Sequence, residues 1–179
     1  MVFINLLQEV IDVLERFYPD VYIDNIFLLP LDEFKKRGIK ALVFDIDNTV
    51  APYDMAEADE EIISLFKFLK EQGYRLCLLS NNNKKRVEKF NEKLEAMAVY
   101  RAGKPGVKKL ENAMFDMGVT KKQTALVGDQ VFTDIYCAHK AGVMAVLTKP
   151  MCNRDQLVTK VKRGLERRVL QAYQRRMEK

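Results

Sequence analysis

The chain has 179 residues, of which 48% are hydrophobic and 31% charged, enough for one folded domain with a full core and too ordered a balance for a disordered segment. Its formal charge of +5 is uneven: residues 154–179 carry nine Lys/Arg against three Asp/Glu, so the other 153 residues sum to −1. No run approaches about 18 apolar residues, which excludes a membrane-spanning helix. The apolar N-terminus lacks a basic flank and is interrupted by Glu9, Asp12 and Glu15, so it does not read as a signal peptide. Cys77, Cys137 and Cys152 are odd in number and follow no metal spacing, as expected of reduced thiols in a cytosolic protein. His139 is the single histidine, so carboxylates and lysines must carry most of any chemistry.

In chain order, Phe3, Leu6, Leu7, Val10, Ile11, Leu14 and Phe17 share one helical face, and Pro19 closes that helix. Leu31–Arg37 predicts a short helix ending at Gly38. The apolar run Lys40–Ile46 predicts a buried strand. A helical pattern over 57–72 stops at Gly73, Arg75–Leu79 reads as a second strand, and a charged helix spans Lys84–Leu94. Ala96–Tyr100 is a short strand, 106–117 a helix ending at Gly118, and Ala125–Val127 a strand. Helix 131–141, strand Val143–Leu147 and a long basic helix over 154–176 complete the chain. Five strands alternating with helices predict an α/β fold: a three-layer sandwich around a five-stranded parallel sheet. The expected organisation is one domain, with a helical extension over 1–38, a core over 40–148 and a basic C-terminal helix over 154–179.

In such sheets ligands bind at the carboxyl ends of the strands. The first predicted strand runs into Asp45-Ile46-Asp47-Asn48-Thr49. Two carboxylates just past a buried strand are costly to desolvate unless paired, so a metal or a catalytic duty would account for them, as would a turn with capping acids. Ser80, Asn81, Asn82 and Asn83 open a helix, where a hydroxyl suits phosphate or an ordinary N-cap. Gly103-Lys104-Pro105-Gly106 presents a lysine ahead of a helix; a Gly-x-x-Gly loop also occurs in KH-type RNA-binding domains. Gly128-Asp129-Gln130 with Asp134 either serves a ligand or caps the next helix. Four successive strands thus deliver Asp/Asp, Ser, Lys and Asp/Asp to one edge, which four unrelated capping events explain poorly.

The order Asp45-x-Asp47-x-Thr49, Ser80, Lys104 and Gly128-Asp129 with Asp134 resembles the haloacid dehalogenase superfamily of phosphatases, over about residues 40–148. The resemblance implies a Rossmann-like sheet and Mg²⁺-dependent phosphoryl transfer through an aspartyl-phosphate. Asp45 would be the nucleophile. Asp47 would protonate the leaving alkoxide and then deprotonate water. Thr49, Ser80, Asn81 and Lys104 would hold the phosphate, and Asp45, Asp47, Asp129 and Asp134 would surround the metal, Asp47 through its backbone carbonyl. Asp at position 47 favours a phosphatase over an ion-pump or dehalogenase variant.

Thr49 and Ser80 are 31 residues apart, and Ser80 and Lys104 are 24 apart. One helix and one strand fill each interval, which leaves no room for a cap domain. An open site suits a phosphate carried on something large, with Tyr53 and Met55 as candidate contacts. The finer resemblance is to the capless, type IIIA branch of YqeG-like proteins and phosphatidylglycerophosphate phosphatases, carried by Asp47-Asn48-Thr49, Val127-Gly128-Asp129-Gln130 with Thr133-Asp134, and Leu165-Glu166-Arg167-Arg168-Val169-Leu170. Cys137-Ala138-His139-Lys140 departs from the Asn-Arg expected before Ala141-Gly142, so His139 is left outside the site. The branch implies a phosphatidylglycerophosphate substrate; a phosphoprotein or another soluble ester is the alternative. The stripe Leu157, Val161, Leu165 and Val169 should dock the tail helix on the body. Its basic face suits an anionic membrane surface or RNA, and a ribosome-associated factor using that tail is the reading from a different class. The expected location is cytoplasmic, with peripheral membrane contact.

Overall fold

The computed structural model describes residues 14–151 and 157–177. Six strands form one wholly parallel sheet: β1 (Val21–Ile23), β2 (Ala41–Phe44), β3 (Arg75–Leu79), β4 (Met97–Val99), β5 (Thr124–Gly128) and β6 (Met144–Thr148), in the order β1-β6-β5-β2-β3-β4. The helices are α1 (Leu31–Lys36), α2 (Glu60–Glu71), α3 (Lys84–Asn91), α4 (Lys108–Asp116), α5 (Tyr136–Ala141) and α6 (Leu157–Met177). The helical face anticipated over 3–17 lies mostly outside the described residues, as does Cys152.

The expected sheet had five strands; the sixth is β1, at the edge beside β6. Its three residues are only half-buried, so no compact apolar run announces it. A neighbouring acid fixes it in place. The Asp20 N–H donates to the Ala145 carbonyl at 2.9 Å, and the Ala145 N–H donates to the Asp20 carboxylate at 2.7 Å. Part of the stretch anticipated as a helical extension is therefore a strand of the sheet.

Strand alternation divides the core into two layers. Leu42 and Phe44 of β2 face α1, α2 and α3, meeting Phe34, Phe66 and Phe90. Ala41 and Val43 face the other way, into the layer of Leu110, Ala113, Cys137 and Ala138 from α4 and α5. With helices on both faces, the central strands are buried throughout, which is why they read as apolar runs. Asp59 caps α2 by accepting from the Ile62 N–H at 2.9 Å, and Asn83 caps α3 by accepting from the Arg86 N–H at 3.0 Å. Tail helix α6 docks as expected at Val169, which is buried in the second layer, and Tyr173 packs its ring 5.6 Å from that of Tyr18. Side-chain positions of Leu157, Val161 and Leu165 lie outside what is described. Among the described residues, no domain is inserted between β2 and α2 or between β3 and β4.

Candidate active site

The strand β2 is the centre of the sheet, flanked by β3 and β5, so the residue after it faces the carboxyl edge between both neighbours. That residue is Asp45. Its backbone N–H continues the ladder to the Val127 carbonyl at 2.9 Å, and its side chain turns inward, buried. The chain then folds into a tight turn in which the N–H groups of Thr49, Val50 and Ala51 all point at the Ile46 carbonyl. Asn48 takes φ of +65° there, a left-handed conformation that asparagine tolerates better than most residues.

Lys104 arrives from the loop after β4 and is buried with the acids. Its Nζ lies 2.6 Å from Asp45 Oδ1 and 2.6 Å from Asp134 Oδ1. Asp129 follows β5, and its Oδ1 accepts from the Thr49 hydroxyl at 3.4 Å. Asp45, Asp129 and Asp134 each offer an oxygen within 4.8 Å of the others. Two of these buried acids thus share one lysine, and the third, Asp129, lies beside them. Burial, reinforced by Asp134 and Asp129 against the opposing pull of Lys104, pushes the Asp45 carboxyl up to about 8. Burial works against the Lys104 charge, but Asp134 and Asp45 outweigh it and hold the ammonium above its ordinary range. Hard oxygen donors with an excess of buried negative charge suit a divalent cation such as Mg²⁺.

Asp134 reaches this cluster through a local irregularity. Val131–Ile135 form a π-turn before α5, in which the N–H groups of Asp134 and Ile135 both donate to the Gln130 carbonyl. Single π-turns recur at functional sites because they re-aim one side chain. Gly128 makes the space: a Cβ there would lie 2.3 Å from the Asp134 Cβ and Cγ. The sequence predicts one regular helix over 131–141 and gives no sign of this turn.

Ser80 closes the other side. It is buried at the end of β3, and its Oγ accepts from the Asn82 N–H at 3.1 Å. The Asn81 side chain clamps the backbone of Lys104. Its Oδ1 accepts from the Lys104 N–H at 2.8 Å, and its Nδ2 donates to the Lys104 carbonyl at 3.2 Å. The Asp47 carboxylate stands outside the three-acid group. Its Oδ1 accepts from Arg86 Nη2 at 2.9 Å and Nε at 3.3 Å, and its Oδ2 from Asn82 Nδ2 at 3.3 Å. Sequence reasoning missed Arg86 and Asn82 because both read as ordinary members of a polar helix start. His139 binds the Tyr18 carbonyl at 2.6 Å, apart from these residues.

The family described as mitochondrial PGP phosphatase matches residues 4–152. The chain is 34% identical over 160 residues to the Bacillus subtilis (strain 168) protein named "Probable phosphatase YqeG", covering 89% of this chain and 93% of that one. It is 28% identical over 168 residues to phosphatidylglycerophosphate phosphatase 1, chloroplastic/mitochondrial, of Arabidopsis thaliana, covering 88% of this chain and 48% of that longer protein. Among solved structures, a hypothetical protein of Xanthomonas campestris superposes with a TM-score of 0.53 at 17% identity, covering 69% of this chain and 72% of that one. An uncharacterized protein from Listeria monocytogenes serotype 4b superposes with a TM-score of 0.52 at 13% identity, covering 71% and 97%. These two likenesses concern the fold.

Proposed function

We infer the mechanism from one premise: the chain belongs to the phosphatidylglycerophosphate phosphatase family of the haloacid dehalogenase superfamily, and is a phosphoric monoester hydrolase. In this reading an Asp45 oxygen attacks phosphorus as the ester P–O bond breaks, and the leaving alkoxide takes a proton from Asp47. Asp47 then takes a proton from water, whose oxygen attacks the same phosphorus. The P–O bond to Asp45 breaks and inorganic phosphate leaves. Lys104 and Ser80 hold the phosphoryl oxygens, with Thr49 beside them, and Asn81 acts through its clamp on the Lys104 backbone. Asp45, Asp129 and Asp134, with the Asp47 backbone carbonyl, would hold Mg²⁺. When bound, Mg²⁺ supplies the positive charge that keeps Asp45 ionised and offsets charge on the phosphoryl group.

The observation that carries this reading is the Asp45–Lys104–Asp134 contact, flanked by Asp129, at the end of the central strand. A nucleophile, an anion-binding cation and metal ligands meet at one point, each from a different strand end. For the substrate, the matched family and the Arabidopsis relative's name favour phosphatidylglycerophosphate. The capless edge agrees with a large substrate, as do the apolar Tyr53 and Met151, 62% and 44% exposed in loops after β2 and β6. The exposed Arg168 and Arg175, on a helix anchored at Val169, suit contact with an anionic lipid surface.

The test is phosphate release with Mg²⁺ from phosphatidylglycerophosphate micelles, compared with glycerol 3-phosphate, nucleotides and a phosphopeptide. Expected are turnover of the lipid ester, its loss with chelator, and its loss in Asp45→Asn. Activity confined to soluble esters would overturn the lipid assignment, and no metal-dependent turnover of any ester would overturn the mechanism.

A further inference from the structure

We propose that Arg86 is the positioning residue for the Asp47 carboxylate, performing in this capless chain the task of aiming the general acid at the leaving group; the inference rests on the phosphatase reading above. Arg86 is held from several directions. Its own N–H is bonded to the Asn83 cap at 3.0 Å, which fixes the first turn of α3. Its guanidinium lies 5.2 Å from the ring centroid of the fully buried Phe90. Its Nη1 donates to the Ala56 carbonyl at 3.2 Å. What remains, Nε and Nη2, meets a single oxygen of Asp47. The side chains of the pair are only 14% and 18% exposed, so this is no solvent-screened surface contact.

The second oxygen of Asp47 is held independently. Asn82 donates its side-chain N–H to Oδ2 while its backbone N–H donates to the Ser80 hydroxyl. Two donors on two oxygens stop the carboxylate from rotating, and the Asn82 link sets it on the Ser80 side of the site. Without these donors an aspartate in a loop would sample several rotamers, and a misaimed acid loses most of its advantage. Through Ala56, Arg86 also ties the end of the 50–56 loop to the same carboxylate.

Leaving groups discriminate aiming from mere stapling of that loop. An alkoxide needs a proton as it departs; p-nitrophenolate does not. The ratio kcat/KM reports steps up to departure, so it isolates proton donation from later hydrolysis of the intermediate. In Arg86→Gln, kcat/KM for an alkyl phosphate should fall by about 10–100-fold, mostly in kcat, and for p-nitrophenyl phosphate by less than about threefold. Asp47→Asn should show the same selectivity. Arg86→Lys, which keeps the cation but not the fork, should lie between wild type and Arg86→Gln for the alkyl ester. Equal losses on both esters, or none, in folded Arg86→Gln would overturn the proposal. If Arg86→Gln does not fold, Arg86→Lys decides: an unselective loss or wild-type behaviour would overturn it. Wild-type protein inactive on both esters would overturn the phosphatase reading itself.

Discussion

At the residue scale, the site depends on partners that lie far apart in sequence. Lys104 and Asp45 are separated by 59 positions, and Arg86 and Asp47 by 39. The identities Asp45, Asp47, Ser80, Lys104, Asp129 and Asp134 were legible because each follows an apolar strand, where an unpaired acid or lysine is conspicuous. Their side-chain partners were not legible. Asn81 reads as a phosphate contact, but its clamp on the Lys104 backbone has no sign in the sequence, and Arg86 carried no signal at all. Gly128 is the sharpest case of a residue defined by what it lacks. Gly128→Ala places a methyl against Asp134, which cannot yield without leaving Lys104. Overpacking of this kind costs about 1–3 kcal/mol, to be read from the urea midpoint, and activity should fall at least as far as in Asp134→Asn. An active, equally stable Gly128→Ala protein would refute that role.

At the element scale, the site is built on helix starts and strand ends, and the core packs directly beneath them. Phe66 of α2 is buried against Phe44, the last residue of β2 before Asp45, with ring centroids 5.2 Å apart. Phe66→Ala should cost about 3–5 kcal/mol, read from urea denaturation. Helix α6 differs, because it touches the site's scaffold. Its buried Glu166 accepts from the Phe132 N–H at 3.5 Å, inside the π-turn that aims Asp134. Glu166→Gln keeps an acceptor there and should retain activity; Glu166→Ala should lower kcat through Asp134, with little change in KM. Steady-state kinetics on both variants checks this, and equal activity of the two would remove the tail from the mechanism. The periodicity of the tail announced a helix with a docking stripe. It did not announce that an acid beside that stripe, Glu166, meets the site's own turn.

At the scale of the whole molecule, charge placement decides how stability responds to pH and metal. Asp45 is raised to about 8 in the folded protein, whereas its unfolded value is 3.8. Between those values the folded state holds a proton that the unfolded chain has lost, so this group's contribution to stability declines as pH rises through that window. Divalent binding requires the carboxylate and is exerted on the folded state alone. Millimolar Mg²⁺ should therefore raise Tm more at about pH 8 than at about pH 5, as thermal melts at both values would read. A shift of equal size at both would separate the stabilisation from Asp45.

The sequence by itself determined the layering, because strands buried on both faces must be continuously apolar and their helices periodic. It also determined which residues stand at the carboxyl edge, since a parallel strand always delivers its following residue there. Only the tertiary structure decided which of those residues touch. Contact between distant positions depends on strand order and on a π-turn that exists because Gly128 leaves it room. None of these has a local periodicity to read. The acids could be named from the chain; that Asp134 shares Lys104 with Asp45, while Asp47 is gripped by Arg86, follows from the order in which six strands lie side by side.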